Sequence, residues 1–197
     1  MKKEKVNKYV VSRKILFLSI IIVIPVLALF IWFISGFFGN KITAELKDKF
    51  EVQQLNYTKS DSFNDFNLKV DLTSYTKATS SASGSLGYKL TMSSKTGTSV
   101  SNLTAKITVG DYWSHYVAPV KEHTGISLTT SESNKTGSIS IAYTNKNGWG
   151  IDVKTNEHPN VYLYLTYTYV NEYQSKSTKD CILTYSFESI FTGSIEE

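Results

Sequence analysis

The sequence predicts an all-β outer domain, a β-sandwich of about eight strands with immunoglobulin-like or jelly-roll-like topology, on a single N-terminal transmembrane helix. Three observations predict it. Residues 15–38 contain no charged side chain. Beyond residue 57 the apolar residues recur at every second position, the period of a strand with one face buried. Clusters of Ser, Thr, Gly and Asn separate these runs, as turns between short strands do.

Residues 1–14 form a basic tail: Lys2, Lys3, Lys5, Lys8, Arg13 and Lys14 against Glu4. In the apolar run 15–38, eighteen of 24 residues are Ile, Leu, Val or Phe. At about 1.5 Å per helical residue the run reaches roughly 36 Å, against about 30 Å of hydrocarbon. The charge of the tail puts the N-terminus in the cytoplasm and the remainder outside the cell membrane. A cleaved signal peptide has a shorter apolar core, of about 7–15 residues, and small residues at its cleavage site. The nearest such triplet, Ile42-Thr43-Ala44, starts with a bulky side chain. The run therefore reads as an uncleaved signal-anchor.

Residues 39–57 read as a short juxtamembrane helix or stalk. Ile42, Leu46 and Phe50 recur at four-residue spacing, and Glu45 can pair with Lys49 one turn on. Asn40 suits the N-cap. The apolar stripe Ile42, Leu46, Phe50 serves either to pack the stalk on its own domain, the favoured reading, or to contact another membrane protein.

The sandwich is predicted over residues 58–197. Phe66, Leu68, Val70 and Leu72 alternate with polar residues, as do Tyr88, Leu90 and Met92, then Leu103, Ala105, Ile107 and Val109. Val117–Val120 and Ile126–Leu128 are shorter candidates. Ile139, Ile141 and Tyr143 lead into a predicted hairpin turn at Asn147-Gly148, followed by Trp149, Ile151 and Val153. Residues 161–170 are apolar on both faces, which predicts a central strand or one covered by a partner. Residues 182–191 close the set, and the Ser/Thr/Ala-rich stretch 76–85 reads as a loop.

Charge and cysteine content narrow the function. The whole chain is +4, and the first 14 residues account for more than that, so the outer part is nearly neutral. Nucleic-acid binding, which needs a clustered basic surface, is not expected. The basic tail suits anionic lipid. A single cysteine, Cys181, means no internal disulfide, so packing alone must hold the sandwich.

Chemistry-bearing residues are sparse. His115, His123 and His158 lie near Asp111, Glu122 and Glu157, but none of the spacings matches a metal motif, and neither metal nor cofactor is expected. An N-terminal anchor, a β-rich outer domain and a Cys 58–66 residues after a His resemble the sortase transpeptidases in outline. That resemblance implies a thiol transpeptidase using Cys181. The family's Thr-Leu-x-Thr-Cys strand is replaced here by Ser177-Thr178-Lys179-Asp180 before Cys181, and the only arginine is Arg13 in the basic tail, so the oxyanion partner is missing. No catalytic residue is assigned. Tyr112, Trp113, Tyr116 and Trp149 offer flat apolar area with a polar handle, suited to a ligand or protein partner.

The expected function is a membrane-anchored binding or scaffold module, not an enzyme, with the lipid bilayer and a membrane or cell-surface protein as partners. A surface carbohydrate or ligand binder is the first alternative, an anchored thiol enzyme the second.

Overall fold

The computed structural model describes residues 21–31, 46, 49–50, 58–111, 116–142 and 159–196. The chain divides into two units, Met1–Lys41 and Ile42–Glu197. In the first, residues 21–31 are helical and every one is exposed. Among the described residues no helix is long and apolar enough to cross a membrane. The remainder of the predicted span lies outside the described residues.

The second unit is a sandwich of two sheets. One sheet contains β1 (Asn67–Thr76), β2 (Gly84–Ser93), β6 (Ser133–Ile141) and β9 (Phe191–Glu196), in the order β6-β2-β1-β9. The other contains β3 (Ser99–Asp111), β4 (Tyr116–Val117), β5 (Lys121–Leu128), β7 (Asn160–Val170) and β8 (Lys176–Tyr185), in the order β4-β3-β7-β8 with β5 also on β3. β5 pairs with Val100–Ile107 and β4 with Gly110–Asp111, so both run along β3. Between them Pro119 cannot donate to a ladder. Thr108 instead donates its hydroxyl to the Ala118 carbonyl at 2.7 Å, within the core.

Period-two alternation explains the core. Val70 and Leu72 of β1 face inward. A bulge between Leu72 and Ser74 then shifts the phase, so Tyr75 is buried in place of its neighbours. β3 has its own irregularity between Ser101 and Thr104, where Asn102 takes φ 52°, a conformation Asn tolerates. Leu86, Leu90, Ile107, Ile139, Leu163 and Leu183 fill the space between the sheets with no exposure.

The predicted last strand, 182–191, divides. β8 starts earlier, in the polar stretch at Lys176, and ends at Tyr185; a helical turn, Phe187–Ile190, then returns the chain to the other sheet as β9. Cys181 therefore sits inside a strand, opposite Leu165, and not at a strand start. The predicted loop 76–85 contracts to residues 77–83. The predicted turn at Asn147-Gly148 lies outside the described residues.

The dual apolar faces of 161–170 have a direct cause. β7 lies between β3 and β8. Val161, Leu163, Leu165 and Tyr167 face the main core, while Tyr162 and Tyr164 form a second cluster with Ile182, Leu46 and Phe50. Leu46 and Phe50 are fully buried there, and the Phe50 ring lies 5.6 Å from that of Tyr164. The stalk thus packs on its own domain at these two residues; Ile42 lies outside the described residues.

Candidate functional site

A cleft of about 450 Å³ opens at the end of the sandwich where β7 turns into β8, lined by Thr58, Ser62, Phe63, Asn64, Asp65, Tyr167, Thr178, Lys179, Asp180 and Cys181. The entering chain builds one wall. The Thr58 amide donates to the Ile182 carbonyl at 3.0 Å, and the Ser60 hydroxyl to Thr184 at 3.2 Å, so residues 58–60 cover the edge of β8. A single 3-10 turn, Ser60–Ser62, then directs Phe63 and Phe66 toward the core. Phe66 meets the Tyr167 ring edge-on at 5.3 Å.

Asp65 is the centre of the cleft. It accepts hydrogen bonds from Lys179 at 2.8 and 2.9 Å and from the Tyr167 hydroxyl. Lys179 also lies 4.7 Å from the centroid of the Tyr169 ring, within cation–π range. Burial, then the hydrogen bond to Asp65, raise the Tyr167 phenol far above its ordinary value, so it stays protonated and donates. Lys95 donates to the Asn64 carbonyl at 2.6 Å and to the Asn64 side chain, fastening the turn between β2 and β3 to the same wall.

Cys181 lies at the floor, 6% exposed. Burial, with Asp65 and Asp180 adding negative charge, pushes its thiol up to about 12. The neutral thiol is thereby favoured, whereas the thiolate is the nucleophile. The described histidine, His123, is engaged elsewhere, its Nε2 2.9 Å from the Tyr88 hydroxyl. That contact ties β5 in one sheet to β2 in the other. It depends on Gly137, because a Cβ there would come within 2.4 Å of the Tyr88 hydroxyl. The Asp65 cleft, then, joins the entry segment to β7 and β8 through satisfied charges. Sequence reasoning missed it because Asp65 lies 102 residues from Tyr167 and 114 from Lys179.

The predicted binding residues fall elsewhere. Tyr112, Trp113 and Trp149 lie outside the described residues, as do His115 and His158; Tyr116 is the first residue of β4. The strand register does fix where the segment holding Trp113 leaves β3 and where the chain beyond Trp149 reaches β7. Gly110 pairs with both Val117 and Asn160, so the chain leaves β3 and enters β7 at adjoining positions. That end is opposite the Asp65 cleft. Among the described residues no group of three His, Cys, Asp or Glu is placed to hold a metal ion.

No protein-family model and no curated protein matches the chain. Among solved structures, the X-ray structure of Northeast Structural Genomics Consortium target SoR45 is similar over 63% of this chain and 86% of that chain, with 14% identity and a TM-score of 0.40.

Proposed function

We propose that this chain is a single-pass membrane protein that displays its sandwich outside the cell as a binding or scaffold module, partnered by another membrane or surface protein. The observation that carries the reading is the helix at residues 21–31: eleven uncharged residues, all exposed, with Ile21, Leu27, Phe30 and Ile31 each more than half accessible. A helix that is apolar on every side requires an apolar surrounding. The basic tail before it supports a cytoplasmic N-terminus.

The strand pairing favours the immunoglobulin-like topology over the jelly roll. Pairs β1–β2, β2–β6, β3–β7 and β7–β8 match the A–B, B–E, C–F and F–G neighbours of that sandwich. Such a frame suits binding, but fold alone does not fix a partner.

A second reading, a surface carbohydrate or ligand binder, is favoured by the adjoining strand ends at Gly110 and Asn160, where the segment holding Trp113 leaves β3 and the chain beyond Trp149 enters β7. Amine cross-linking in native membranes, followed by capture of the full chain and mass spectrometry, separates the two. Reproducible links from the sandwich lysines to one membrane protein support the scaffold. No link above background moves the weight to a ligand, and Trp113→Ala and Trp149→Ala should then abolish glycan binding without unfolding the domain.

A further inference from the structure

β9 differs from every other strand whose side chains are described: it has no buried residue. It also makes the only parallel pairing among the described residues, on the outer edge of β1. What holds it is a set of specific fits. The Phe191 ring stacks on Phe187 at 4.6 Å, and Phe187 is buried with its ring 5.2 Å from that of Tyr75. Thr192 donates its hydroxyl to the Leu72 carbonyl at 3.3 Å. Gly193 passes the β1 bulge so closely that a Cβ would lie 1.7 Å from the Thr73 carbonyl oxygen. The edge of β1 therefore selects an aromatic residue followed two positions later by glycine.

We propose that this edge is a strand-acceptor site, and that the segment Phe187–Glu196 of a second copy of the chain occupies it in exchange for the chain's own. The fits above are specific to a sequence that every copy carries at the same place. Exchange replaces each hydrogen bond and ring contact with an identical one, which is why swapped dimers form at low cost. The hinge is Ser186, whose backbone is extended. The short turn that follows, closed by the Ser189 amide and hydroxyl on the Ser186 carbonyl at 3.2 and 2.8 Å, travels with the exchanged segment.

The parallel register supplies the test, because Ser74 and Ser194 are direct partners across β1 and β9. Two full-length chains with different tags are co-expressed, one carrying Ser74→Cys and the other Ser194→Cys, and oxidised. Exchange predicts a disulfide-linked heterodimer well above the homodimer formed by either variant alone. Adding Gly193→Val to the Ser194→Cys chain should remove that heterodimer. A chain carrying both cysteines should close on itself when expressed alone at low level. The proposal is overturned if the double variant closes internally while mixed chains give no heterodimer, or if neither closes. It is equally overturned if Gly193→Val leaves the heterodimer unchanged.

Discussion

β7 and β9 are both strands of the same sandwich, but one is buried on two faces and the other on none. In β7 the inner residues Val161, Leu163 and Leu165 have no exposure, and the outer Tyr162 and Tyr164 lie under Leu46 and Phe50. β9 shows only the half-buried Phe191 to the core, and Ile195 is 54% exposed. The difference separates two ways of keeping a strand in place. β7 is held by apolar area removed from water, which is indifferent to direction. β9 is held by backbone pairing, the Phe191 ring on Phe187, the Thr192 hydroxyl and one glycine-sized gap, all of them local.

Removing side chains along this gradient should give a graded loss. Leu163→Ala leaves a cavity in the middle of the core and should cost about 2–5 kcal/mol, measured by chemical denaturation. Asp65→Asn removes the charge that Lys179 and Tyr167 share at the cleft and should cost about 1–2 kcal/mol, with the Lys179→Met double variant losing less than the sum of the singles. His123 gives a smaller, pH-dependent effect. Burial first, then the Lys135 charge, lower its value below the usual 6.5. The folded state therefore favours the neutral ring. Its contribution is complete above the unfolded value and is lost as pH falls through the lowered folded one. Thermal melts between about pH 8 and pH 5 should fall with acid, and His123→Gln should flatten that part of the slope. At the other end of the gradient, Ile195→Ala in β9 should stay within about 0.5 kcal/mol of the parent. A loss comparable to that of Leu163→Ala would abolish the contrast between the two strands.

Legibility in the sequence follows the same gradient. The alternation at Phe66–Leu72, Tyr88–Met92 and Leu103–Val109 marks β1, β2 and β3 because each has one dry face and one wet face. The double apolar pattern at 161–170 marks a central strand, and the i+4 stripe at Leu46 and Phe50 turns out to be the cover of its outer face. The first half of β8, Lys176–Asp180, leaves no such mark, since an edge strand there exposes Lys, Ser and Thr. β9 is illegible for the same reason: with no buried residue there is no period to detect. The Asp65–Tyr167–Lys179 cluster is hidden by sequence distance, and only register brings Tyr167 opposite Lys179.

The proposed membrane-anchored display of this sandwich is tested most directly by accessibility labelling. Tyr173, 81% exposed in the turn between β7 and β8, is replaced by cysteine in the full chain, and intact cells are treated with a membrane-impermeant maleimide. Cys181 should stay silent, being buried with its thiol pushed up to about 12. Display predicts labelling of Tyr173→Cys in intact cells on a chain that resists alkaline extraction from the membrane. Labelling only after permeabilisation, or release of the chain by alkali, would contradict it.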